Sequence, residues 1–292
     1  MTRAQLAASA LAVLALSTSA FAQGKSQQHK GTERPPSRNE LASVAPVVPG
    51  ATASSNAPLA WVDDASLLAP GMVSVSVSAM HWQNGDVGET DVPIVDAAIG
   101  LAPRLQLSAS VPRVVGTSDP TGAVGGLGTS FFSTKVGLYE SRNHAYRVAT
   151  SPTILVVGRG ILDPAIPDQS RVRWGLPVSA EMTRGGVRVY GSAGYFSPGL
   201  WFGGAALGFR VTDKTMASAG LSRAWHRAGA SGVPLSQRDR KEISGGIAHA
   251  LARTIFVFGS IGRTIATLDE NGAGTTISGG LSVSLATAAV RP

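Results

Sequence analysis

The chain has 292 residues, no cysteine, 35 glycines, 17 prolines and a formal net charge of +7, with a mean hydropathy of +0.14. That hydropathy is high for an exported soluble protein, yet no stretch reaches the roughly 18 unbroken apolar residues that mark a membrane helix. The basic residues fall mostly at predicted strand ends and turns, with no Lys/Arg-rich run, which argues against a nucleic-acid partner.

Residues 1–22 read as a secretory signal peptide. Arg3 is the charged start, Leu6 to Leu16 the apolar run, and Ala20-Phe21-Ala22 the small-x-small cleavage site. The mature chain is expected to begin at Gln23. Residues 23–60 carry Pro35, Pro36, Pro46, Pro49 and Pro58 among Ser, Ala, Gln and Asn. They show no hydrophobic period, so a disordered Pro/Ser-rich periplasmic arm is expected. From Pro58 the chain reads PLAWVDDASLLAP. Here Asp63 or Asp64 would cap one helical turn through Leu67 and Leu68, ended by Pro70. Residues 61–70 are expected as a short helix or plug segment, at the periplasmic mouth or in a lumen. An amphipathic linker is the alternative.

Beyond Gly71 apolar and polar residues alternate. Val73, Val75, Val77 and Ala79 oppose Ser74, Ser76 and Ser78, while Leu105, Leu107, Ala109 and Val111 oppose Gln106, Ser108 and Ser110. Val172, Trp174, Leu176 and Val178 oppose Arg171, Arg173, Ser179 and Glu181. This period of two is that of strands between lipid and a polar interior. About twelve strands are predicted, over 71–82, 92–101, 104–114, 129–139, 145–157, 171–182, 187–197, 200–211, 215–226, 239–249, 254–263 and 275–286. In strand 254–263, Phe256 and Phe258 compete with Ile255 and Val257 for the lipid face. The fold class is therefore all-β, an antiparallel transmembrane β-barrel over residues 71–292. A closed barrel satisfies its own strand edges and needs no disulfides.

Connections alternate in length. Those at 102–104, 141–144, 183–186, 212–214 and 251–253 are short, and those at 83–91, 115–128, 158–170, 227–238 and 264–274 are long. Barrels show this rhythm of periplasmic turns and outer loops; the tight turn at 197–199 departs from it. Trp82, Tyr195, Trp201, Phe202 and Trp225 fall at predicted outer ends, and Tyr139, Tyr146 and Phe209 at inner ends, as interfacial aromatics do. Trp82 is out of register with Val73 and Val77, so it requires a bulge or a lumen-facing ring. The last strand ends in SGGLSVSL, where Ser278, Gly280, Val283 and Leu285 resemble the signal read by the barrel-assembly machinery. Leu285 stands where such signals end in an aromatic, and Ala286 to Pro292 follow it.

No catalytic site is expected. None of the five histidines stands two residues before a serine, as in barrel lipases, and the Asp63-Asp64 pair is read as capping. No metal or cofactor is expected: Asp269-Glu270-Asn271-Gly272 lacks the other ligands of a calcium loop, and Gly122 to Gly128 lacks a phosphate-loop context. A charge facing lipid costs roughly 2–4 kcal/mol at the midplane. Strand parity therefore turns Asp96, Lys135, Arg147, Arg173, Glu181 and Arg188 inward, as candidate pore-lining residues. The reading is an outer-membrane channel or transporter for small solutes, in contact with outer-membrane lipids. The alternative is a structural or surface-interaction barrel with a closed lumen.

Residues Asp91 to Val114 run DVPIVDAAIGLAPRLQLSASVPRV, a strand, a tight turn with Arg104, and a strand ending in a VP step. This hairpin resembles the transporter-like outer-membrane family linked to meta-pathway phenol degradation. The resemblance implies a barrel that passes small, hydrophobic or aromatic solutes.

Overall fold

The structure, a computed structural model, describes residues 59, 61–84, 87–117, 126–158, 170–226, 239–267 and 274–286. The signal peptide at 1–22, nearly all of the arm at 23–60, most of the Gly122–Gly128 run and the whole Asp269–Gly272 turn lie outside the described residues.

The strands are β1 Met72–Asn84, β2 Val87–Ala102, β3 Leu105–Thr117, β4 Gly126–Leu127, β5 Ser130–Glu140, β6 Tyr146–Thr150, β7 Thr153–Val156, β8 Val172–Arg184, β9 Val187–Phe196, β10 Leu200–Thr212, β11 Thr215–His226, β12 Asp239–Ala250, β13 Ile255–Thr267 and β14 Thr275–Ala286. The two-residue β4 pairs with β3, and β6 and β7 are one strand interrupted at Ser151 and Pro152. The result is a closed antiparallel barrel of twelve staves. Closure is made by β1 against β14, in register from Met72↔Ala286 to Gln83↔Thr275.

Alternation places the two kinds of side chain. Val75 and Val77 of β1 are 41% and 50% exposed on the outside, and Trp174 and Leu176 of β8 are 56% and 49% exposed. Such a continuous apolar exterior is the surface of a protein solvated by hydrocarbon. Ser74, Ser108, Ser133 and Ser179 face inward and are buried. Outward Trp174, Tyr195 and Trp201 form a ring-contact chain, with centroids 5.3 and 5.1 Å apart, at one rim. Tyr139 and Tyr146 are exposed at the opposite rim.

Two expectations are corrected. Residues 83–91 are not a long loop: β1 runs to Asn84 and β2 begins at Val87. A bulge between Asp91 and Ile94 hides this, because it flips which parity faces inward. Glu89 and Asp91 are buried on one side of the bulge, Ile94 and Ala98 on the other, so alternation read along the chain breaks there. Phe202 is not an interfacial aromatic; it points inward and is 1% exposed. For residues 61–70, expected as a short helix or a plug segment, the helix is not formed. Of the two options for Trp82, the ring faces the lumen in register with the β1 serines, 2% exposed and packed over Gly274. In β13 the contest resolves with Val257 outward and Phe258 inward.

Val77 sits midway along β1 on the outer face. Val77→Arg should cost about 2–4 kcal/mol of folding stability. The expected readout is a lower urea midpoint for the heat-modifiable folded band in lipid vesicles; an unchanged midpoint would refute the outward placement.

Candidate functional site

Residues 59–70 enter the barrel and lie against the inner wall from β2 to β11. The tip is a turn in which the Val62 N–H donates to the Leu59 carbonyl, with Trp61 in the left-handed region at φ 56°. An apolar residue tolerates that backbone only when its surroundings hold it. Here the indole packs on Phe202 at 5.3 Å, and Phe202 stacks on Phe196 at 5.4 Å. Phe131, Leu155, Leu200 and Ala224 complete the cluster.

Below the tip the contacts become ionic. Lys135 Nζ lies 3.0 Å from Asp63 Oδ2 and 3.6 Å from Asp64 Oδ1. Arg188 Nη2 bridges Asp64 Oδ2 at 2.8 Å and Glu181 Oε2 at 2.6 Å. Arg147, at the edge, reaches Glu181 at 3.7 Å. Ser66 joins the strands: its hydroxyl donates to Glu181 Oε2 at 2.7 Å and accepts from Arg188 at 2.8 Å. The Asp63 N–H donates to Ser192 Oγ at 3.0 Å, and the Leu68 N–H to Gln106 Oε1 at 2.8 Å. Lys135 and Arg188 thus meet Asp63, Asp64 and Glu181 inside the barrel, and Arg147 joins Glu181 to the more exposed Glu140, 2.9 Å away.

Burial raises the Asp63 carboxyl to about 6, against the opposing pull of Lys135. Burial acts on Asp64 in the same direction, but Arg188 and Lys135 outweigh it and hold that carboxyl below its ordinary value. Asp63 and Asp64 were expected to cap a helical turn. They are instead the segment's charged anchors.

The wall is cut to receive the segment. A Cβ on Gly204 would lie 2.8 Å from Val62 Cγ2 and 2.9 Å from the Trp61 carbonyl oxygen. One on Gly100 would lie 2.6 Å from the Leu68 carbonyl oxygen, and one on Gly220 3.2 Å from Leu59 Cδ1. At Gly100 and Gly204 only glycine leaves the segment's backbone room to pass, while Gly220 makes a looser fit against the Leu59 side chain.

Of the residues singled out by parity, the structure gathers Lys135, Arg147, Glu181 and Arg188 into this one cluster. Asp96 lies on β2 and accepts a 3.0 Å hydrogen bond from Ser76. Arg173 stands near the far end of β8 from Glu181. Asp63, Asp64, Ser66, Gln106 and Ser192 were missed as site residues. The adjacent carboxylates in an otherwise apolar stretch were the available signal, since a strand-borne cation buried in the wall needs a partner.

Solved structures share this architecture. An outer-membrane channel from Pseudomonas putida F1 superposes with a TM-score of 0.58 over 76% of this chain and 98% of its own, at 13% identity. The KdgM porin matches with a TM-score of 0.50 over 72% of this chain and 99% of its own, at 8% identity. The fold is that of outer-membrane β-barrels. No protein-family model matches the sequence, and no curated protein does.

Two substitutions test the docking. Gly204→Val should expel the tip, so that amides of 61–66 exchange with deuterium quickly while strand amides stay protected; retained protection there would contradict the notch. Lys135→Met strands the Asp63 carboxylate and should weaken docking by about 3–5 kcal/mol, seen as faster exchange over 62–68.

Proposed function

We propose that the protein is an outer-membrane channel for small solutes whose bore is narrowed by residues 59–70. The observation that carries this reading is the way the lumen is occupied. A segment of the chain docks along one arc of the wall through a buried ionic cluster and glycine notches, where a solid barrel would interdigitate wall side chains across the whole lumen. The likeness to channel and porin structures supports the fold this requires. The resemblance of the Asp91–Val114 hairpin to the phenol-degradation barrels favours small aromatic solutes. We read the protein as a conduit, not an enzyme. In this reading the leader at 1–22 is removed after export, and Ser278, Gly280, Val283 and Leu285 in β14 address the chain to the assembly machinery.

Planar-bilayer recording tests the proposal. The purified barrel should conduct, and the double variant Lys135→Ala, Arg188→Ala, which unpins the segment, should conduct roughly two-fold more or better. Silence from both proteins would return the molecule to a structural role with a closed lumen.

A further inference from the structure

The inner wall is not uniform. Where it meets residues 59–70 it is sealed: Lys135 is 2% exposed, Ser192 6% and Phe202 1%. Across the lumen, midway along β13, β14 and β1, inward positions are only half-buried, namely Ser78, Phe258, Ser260, Ser278, Gly280 and Ser282, while Ser74, Trp82, Thr264 and Ser284 toward the strand ends are buried. Lipid is not what exposes them. Their outward neighbours Val77, Val257, Ile261, Ile277 and Leu281 hold the hydrocarbon face, at 39% to 55% exposure. The half-open positions therefore border space inside the barrel that the segment leaves unfilled.

This arc has its own chemistry. Inward positions from Phe256 to Thr264, from Thr276 to Ala286 and from Ser74 to Trp82 carry no charged residue. Serine hydroxyls line it and partly satisfy one another: Ser260 and Ser278 are 2.6 Å apart, Ser74 and Ser282 3.4 Å. Phe258, Gly280 and Ser78 stand in one register row. A Cβ at Gly280 would lie 2.8 Å from Phe258 Cζ, so the ring lies flat across the glycine along the wall. Charged side chains stand at its margins: Asp96 accepts from Ser76, Glu89 and Asp91 are buried on β2 beside Trp82 and Met80, and Arg240 pairs with Glu242 at the rim of β12.

We propose that solutes pass beside the docked segment along the β13–β14–β1 arc, and that this arc selects uncharged molecules. The inference rests on the channel reading. An ion entering a narrow lumen loses hydration that only opposite charges or many dipoles replace. Lys135, Arg188 and Glu181 are spent on holding the segment, leaving the β13–β14–β1 arc with hydroxyls for a polar group and a flat phenyl face for an apolar one. Phe258 and Gly280 are the specificity-determining pair, because the glycine keeps the ring out of the bore.

The chain has no cysteine, so single cysteines report position without background. N-ethylmaleimide should modify Ser260→Cys and Ser282→Cys in the folded, membrane-inserted barrel about ten-fold faster than Ser192→Cys behind the segment. Modification should cut the bilayer current by about half or more. Proteoliposomes of the unmodified barrel should swell faster in an uncharged sugar than in gluconate. Equal reaction on both arcs, or current indifferent to modification, would overturn the path. Gluconate entering as fast as the sugar would overturn the selectivity. If Ser260→Cys reacts but the unmodified barrel carries no current, the channel reading fails and the passage with it, leaving a closed cavity. Heat-modifiable mobility of each variant confirms folding, and Ser278→Cys replaces either residue that does not fold.

Discussion

Hydrocarbon offers no hydrogen-bond partner to a strand edge, so a sheet in a membrane must meet itself. In this protein β1 and β14 satisfy that demand over the run from Met72↔Ala286 to Gln83↔Thr275. Everything else follows from the closed circumference. A barrel of about eight strands fills its interior with wall side chains, and one of about sixteen is a water channel. Twelve staves enclose more than their own side chains fill and less than an open pore. Residues 59–70 take up part of that space, and the proposed passage would use the remainder.

The docked segment is held in two ways. At its tip, Trp61 is gripped by Phe202 and neighbouring aromatics, a contact that gains from burial and depends little on direction. Below it, Asp63 and Asp64 are matched to Lys135 and Arg188. Buried ion pairs add little net stability because desolvation offsets their attraction, but a mismatch is costly, so they set register. The glycines at 100 and 204 make the same point sterically: the wall is shaped for one path of this backbone. Inward charge lies on β2, on β12 and beneath the segment, and the inward positions of β13, β14 and β1 between them carry none.

Legibility in the sequence followed the strength of each physical rule. Alternation against lipid is obligatory, so all twelve staves could be read, and the inward direction of Lys135, Glu181 and Arg188 with them. It failed at β2, where the bulge beside Pro93 exchanges the two faces and made Glu89 and Asp91 look like loop residues. Phe202 was misread because an aromatic near a strand end fits an interfacial belt and an interior cluster equally well; only its partner Trp61, far away in sequence, separates them. The paired aspartates were read as a local cap because capping needs nothing distant.

The amino-acid sequence alone determined that this chain curls into a membrane barrel, since side-chain parity, strand length and the absence of an apolar helix are local properties set by the solvent on each face. Which charges meet was decided only by tertiary structure. Lys135 and Asp63 stand 72 residues apart, and no periodicity along the chain encodes contact between a wall strand and a segment lying across the lumen. The same holds for the bare serine arc opposite. Its openness depends on where the segment lies, and that is fixed by packing in three dimensions.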